Sequence, residues 1–106
     1  MTRNSRATTD AAGAMTALQQ ASTMGDLAHL QALLDQHVDI EVRDGDGRTS
    51  LMLAAEHGQL EVVKALLARG ANPNAADARG LTPLQAAVAG NQSAIAAALR
   101  KAGAIQ

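Results

Sequence analysis

The sequence has no phenylalanine, tyrosine, tryptophan or cysteine, and only two prolines. Without aromatic rings it offers no platform on which bases or single strands could stack. Without cysteine it has no disulfide framework, no thiolate metal site and no cysteine nucleophile. An excess of one charge is also lacking. Nine Lys and Arg stand against ten Asp and Glu, for a formal net charge of −1, where a nucleic-acid binder would be basic. No apolar run approaches the roughly 18–20 residues needed to span a bilayer. Met1 to Asp10 has no apolar stretch of the kind that marks a secretory signal. The expectation is a soluble, cytoplasmic chain that binds neither nucleic acid nor membrane.

Alanine is what the chain has in quantity. It supplies 25 of the 50 apolar residues, with 13 leucines next. A core of such small side chains must be filled by close approach of backbones, because nothing in it spans a wide gap. That favours helices over sheets, since alanine is the best helix former and a poor strand former. The length of 106 residues fits one domain.

Shifted by 33 residues, the chain matches itself. Gly47-Arg48-Thr49-Ser50-Leu51 falls on Gly80-Leu81-Thr82-Pro83-Leu84, Asp44 on Asp77, Ala54 on Ala87, Val62 on Ile95, Leu66 on Leu99, and Gly70-Ala71 on Gly103-Ala104. In the other direction Thr16-Ala17-Leu18 falls under Thr49-Ser50-Leu51, Gly25 under Gly58, and Leu33-Leu34 under Leu66-Leu67. Three units follow, 16–43, 44–76 and 77–106, preceded by a polar segment 1–15.

Each unit reads as two short helices. Thr49 and Thr82 are good N-caps, and Pro83 sits at a first helical position, where its missing N–H costs nothing. Gly58 ends a short helix in the left-handed conformation, and Asn91 holds the matching place. Leu60, Val63, Leu66 and Leu67 follow at helical spacing up to Gly70. Asn72-Pro73-Asn74 and Asp77-Ala78-Arg79-Gly80 then supply turn chemistry for a hairpin-like tip. Neither helix is long enough to be stable alone, so the units are expected to stack as a solenoid.

These residues resemble the ankyrin repeat, whose signature is a 33-residue period with Thr-Pro-Leu-His-x-Ala. Thr82-Pro83-Leu84-Gln85-Ala86-Ala87 matches with Gln85 in place of His, and Thr49-Ser50-Leu51-Met52-Leu53-Ala54 with Ser50 and Met52 in place of Pro and His. Gly58 to Ala75 is similar to the rest of the repeat, and the likeness runs over residues 16–106. The first unit departs most, with Gln19 and Gln20 for Met52 and Leu53, and His37 for the closing Gly. The resemblance implies an all-α solenoid of helix-turn-helix pairs with projecting loop tips.

The outer units are expected to act as caps. In the first unit His29 replaces Val62, while in the last Ser93, Ala96 and Arg100 replace Leu60, Val63 and Leu67. Complementary positions have changed at the two ends. This predicts that Val62 faces the preceding unit and Leu60, Val63 and Leu67 the following one. Gln20 and Ser22, in place of Leu53 and Ala55, extend the polar change to the first helix. A self-capped three-repeat monomer is the expectation.

Candidate chemistry is thin. Asp44-Gly45-Asp46-Gly47-Arg48 begins like a calcium loop. It departs at Arg48, where a third oxygen ligand is needed, at Thr49 for the turn glycine and at Ala55 for the final glutamate. His29, His37 and His57 include no pair at the i, i+4 spacing of a helical metal site. Ser50 and His57 suggest a nucleophile and base, but Ser50 holds the helix-start place of Pro83. No phosphate loop or cofactor motif is present, so no cofactor, no metal and no enzymatic activity are expected. Thr2 to Thr9, with Arg3 and Arg6, reads as a disordered tail or as an Arg- and Ser-rich export segment.

By the resemblance, function is binding of a partner protein through the loop tips and the adjacent face of the first helices, as an adaptor or inhibitor. Carried onto this chain, the candidates are Arg43, Asp46, Arg48, Glu56 and His57 in the middle unit, Arg79, Leu81 and Ala89 in the last, and Thr23 and Met24 in the first. Arg43, Arg48, Arg79 and Leu81 are expected to concentrate exposed reach on one edge. Arginine is favoured at interfaces and matches carboxylates. With arginine the only hot-spot residue type present, the interface should be charge-assisted and of modest affinity, any aromatic anchor coming from the partner. An exported effector acting on a host protein, and a self-associating assembly protein, are the alternatives.

Overall fold

The structure is a computed structural model that describes residues 16–105. The expected tail or export segment, residues 1–15, lies outside the described residues.

Threonine sets the start of the first helix in every unit. Thr16, Thr49 and Thr82 hold extended backbone ahead of α1 (Ala17–Met24), α3 (Ser50–Glu56) and α5 (Pro83–Ala89), and each hydroxyl accepts the N–H three residues on. In α1 and α5 that third residue is Gln19 or Gln85, whose amide oxygen takes the threonine N–H in return. The second helices are α2 (Leu27–Asp35), α4 (Leu60–Ala68) and α6 (Ser93–Lys101). Gly25, Gly58 and Asn91 turn the chain between the helices of a pair, at φ of +77°, +71° and +58°.

The two glycines serve a second purpose. A Cβ at Gly25 would strike the side chain of Gln59, and one at Gly58 the side chain of Gln92. Each glutamine opens the second helix of the next unit, and Gln59 Nε2 donates to Thr23 O at 3.0 Å. Glycine therefore leaves room for the glutamine end where a later unit packs on the turn, and a side chain there would have to displace it. Asn91 has no such neighbour among the described residues and keeps its side chain.

Helices α1, α3 and α5 form one layer and α2, α4 and α6 a second, in a body of 47 × 28 × 19 Å with no strand among the described residues. The middle unit is covered on both sides: Leu51 to Ala55, Val62, Val63 and Leu66 are all buried. Leu30, Leu66 and Leu99 fill the seams, while Ala21, Ala54 and Ala87 let the backbones approach. Each fully buried leucine contributes about 1.5–3 kcal/mol relative to exposure, which short helices lacking strong intrinsic stability need.

The outer faces follow the expected pattern in part. His29, Gln20, Ser93 and Arg100 are exposed, while Val62 and Ile95 are buried. Ala96, in the place of Val63, is buried although no described unit follows it, so that position does not face outward as expected. Ser22 is the second exception. It is fully buried, and its hydroxyl donates to Leu18 O at 2.8 Å. The reason lies in the register: Ser22 and Ala55 are covered where a unit follows, and the matching Val88 is 52% exposed. That position faces forward, not outward from the first unit. At the opposite end Val38 and Val42, in the places of Ala71 and Ala75, line an apolar depression with Leu18 and Leu33. Both outer faces are thus mixed, polar on some helices and apolar beside them.

Candidate functional site

Each loop tip is closed by an aspartate. Asp44 Oδ1 accepts the N–H groups of Asp46 and Arg48 at 2.8 and 2.9 Å, and Asp77 Oδ1 those of Arg79 and Leu81 at 2.9 and 3.0 Å. The backbone closes in parallel, with Asp44 N–H on Arg48 O and Asp77 N–H on Leu81 O. Gly47 and Gly80 adopt φ of +78° and +86° inside these turns. Both carboxyls are held below their usual range. At Asp44, burial opposes this but is outweighed by the N–H bonds and the charge of Arg48. At Asp77, the hydrogen bond from the Arg79 guanidinium is the largest cause.

The arginines differ in what they do. Arg48 reaches Asp44 at 3.1 Å, Asp46 at 3.0 Å and Glu56 at 3.1 Å, one carboxylate on each nitrogen, and its side chain is only 26% exposed. Arg79 pairs with Asp77 at 2.7 Å, approaches Glu56 at 3.8 Å, and remains 67% exposed. Arg43 Nη1 donates to Gly47 O at 2.7 Å and Ala76 O at 2.6 Å, tying two tips together. The Ala78 N–H donates to Asp46 O at 3.0 Å, and a Cβ at Gly47 would sit 2.8 Å from that nitrogen. The tips are therefore a stacked, hydrogen-bonded ledge, with Glu56 of α3 set between two guanidiniums.

The structure joins Arg43, Asp46, Arg48, Glu56 and Arg79 in this network. Leu81 is half-buried and contributes its N–H to Asp77. Met24, His57 and Ala89 are exposed at the ends of α1, α3 and α5, outside the network. The Thr23 hydroxyl is engaged by Gln19 O at 3.0 Å. One expectation is corrected: Arg48 is not exposed reach but an internal strut, because three carboxylates surround it. Arg79 and Asp46, the latter 75% exposed, are the charges that project. Val88 and Gln85 on α5 are exposed and were not among the sequence candidates. The change from Ala55 to Val88 was the signal available for the first.

The decoys also find their places. The Arg48 guanidinium neutralises the Asp44 and Asp46 carboxylates of the calcium-like run. Ser50 Oγ is buried with no hydrogen-bond partner, while the His57 ring nitrogen Nδ1 lies 2.9 Å from Leu53 O. Ser50 and His57 therefore do not form a nucleophile–base pair.

A family model described as ankyrin repeats matches residues 18–105 as three copies. No curated protein matches the chain.

Proposed function

The chain belongs to the ankyrin-repeat family, a family of non-catalytic protein-interaction modules, and from that premise we propose that it is an adaptor or inhibitor whose partner docks on the loop-tip ledge and the ends of α1, α3 and α5. One observation carries this reading. The ledge is fixed by bonds within and between its tips, while Asp46 and Arg79 project from it and Met24, His57 and Ala89 lie exposed nearby. A fixed surface with exposed charged and apolar groups loses little conformational entropy on binding.

Both signs of charge are available, from Asp46 and Arg79, so the partner surface is mixed rather than purely acidic. Met24, 75% exposed, is a flexible contact that adapts to an aromatic group of the partner. The test is affinity capture from native lysate, followed by calorimetry of the captured protein against variants. Arg79→Gln with Met24→Ala should weaken binding at least tenfold, with an unchanged helical circular-dichroism signal. Undiminished binding by that variant overturns the assignment of the surface.

A further inference from the structure

We propose that copies of this chain stack end to end, the third unit of one against the first unit of the next, in a weak association sensitive to salt. The ends carry opposite charge. In the described first unit Asp35 is paired with Arg69 of the second unit at 2.6 Å and Glu41 accepts the Asn72 N–H, while Asp26 has only His29 nearby, at 3.8 Å, and Asp39 makes no ion pair among the described residues. In the third unit Asp77 is taken up by Arg79, and Arg100 and Lys101 make no ion pair among the described residues. The solenoid is therefore electrically polar along its stacking direction, which favours head-to-tail over head-to-head encounter.

Apolar surface and register point the same way. Val88 stands forward where Ala55 is buried by the next unit, and Val38 and Val42 stand backward in the places of buried Ala71 and Ala75. Each outer face thus keeps a larger apolar residue where the interior seams have alanine. The turns also match. Inside the molecule a glycine at the turn makes room for the glutamine of the next unit. Across two copies, Asn91 takes the glycine place and Asp26 the glutamine place. A longer residue on one side meets a shorter one on the other, and an amide donor meets a carboxylate.

The polar changes at His29, Ser93 and Arg100 make this contact weaker than an interior seam, since they remove the leucine and valine packing found there. Because the two faces differ, the contact does not close on itself and gives open chains rather than dimers. Arg100 and Lys101 lie on α6, apart from the loop-tip ledge and the ends of α1, α3 and α5, so the variant that changes them separates this test from that of the proposed function.

Sedimentation velocity of the full chain, from about 10 μM to about 1 mM at about 0.02 M and about 0.5 M salt, reads the association directly. The average mass should rise with concentration at low salt and return toward a single chain at high salt. The Arg100→Glu/Lys101→Glu double variant should associate at least tenfold more weakly on its own, as should Val88→Glu. In excess over wild type, the double variant should shorten the assemblies, because its acidic face still binds while its other face does not. A single-chain mass throughout at low salt overturns the proposal, as does association that neither variant alters.

Discussion

The two loop tips, residues 44–48 and 77–81, share an aspartate at the first position and a glycine at the fourth, and they fold into the same turn. They place their arginine differently. In the first tip it is the last residue, Arg48, and the backbone there turns inward toward α3, so the guanidinium reaches Glu56 as well as both aspartates. In the second it is the third residue, Arg79, at the point of the turn, where the side chain grips Asp77, approaches Glu56 at 3.8 Å and remains 67% exposed. Arginine at the base of this turn is a strut and arginine at its point is a contact. Composition alone cannot separate the two, because both residues stand in the same five-residue pattern.

The comparison can be broken or sharpened by substitution. The largest effect should come from beneath the tips. Leu66→Ala removes a fully buried side chain from the seam and should cost about 2–5 kcal/mol, a large part of the stability of a domain this size. Chemical denaturation measures it, and the tips themselves remain chemically intact. Arg48→Ala should come next, at about 1–2 kcal/mol. It strips the countercharge from the nearly buried Asp44, while partial exposure keeps the loss below that of a dry ion pair. Arg79→Ala, measured in parallel, leaves the fully buried Asp77 carboxylate without its cation but frees one close carboxylate rather than three, so it should lower the melting temperature less and reduce partner binding as well. Equal melting temperatures for the two variants would erase the distinction between strut and contact.

Acid unfolding tests the shared part of the turns. Both Asp44 and Asp77 are held below the ordinary carboxylate value of about 3.9, so the stability they contribute is complete above that pH. It is lost as pH falls through their lowered folded-state values. Asp44→Asn and Asp77→Asn should each lower stability at neutral pH and flatten its decline below about pH 4, followed by the helical signal against pH. A decline as steep in both variants as in the parent would place the acid-sensitive groups elsewhere.

The smallest effect is a gain. Ser50→Pro copies the third unit onto the second and removes a buried hydroxyl that has no partner. Thr49 is already extended, at ψ of 170°, so proline fits behind it. Stability should rise by about 0.5–1 kcal/mol, read as an increase in denaturation midpoint. A decrease would show that Ser50 Oγ makes a bond in solution.

Much of the fold was legible because it is repeated. The threonine caps, the left-handed Gly58 and Asn91, and the seam leucines were each marked two or three times at a spacing of 33 residues. Reading position by position also worked where exposure is one-sided, as at His29 and Gln20. It failed at Ser22, where a polar substitution looked like an outer face but lies under α3 with its hydroxyl satisfied by the preceding turn. It failed in part at the site as well. Arg43, Arg48, Arg79 and Leu81 were expected to concentrate exposed reach on one edge, but Arg43 and Arg48 are occupied holding the tips together, Arg79 is bonded to Asp77, and Leu81 is half-buried. Pairing of that kind depends on which way a side chain leaves its turn, and a single charged letter carries no direction.

The sequence by itself determined the period, the helices, their caps and the alanine-leucine core, because these follow from local backbone chemistry repeated in register. Tertiary structure alone decided which charges are spent and which are free. Folding of the second unit sets Asp46 and Glu56, ten residues apart, on Arg48, and stacking then brings Arg79 of the third unit, already on Asp77, to within 3.8 Å of the same Glu56. Stacking likewise decided that Ala55 is covered and Val88 is not, since burial belongs to the neighbour a residue faces rather than to the residue itself.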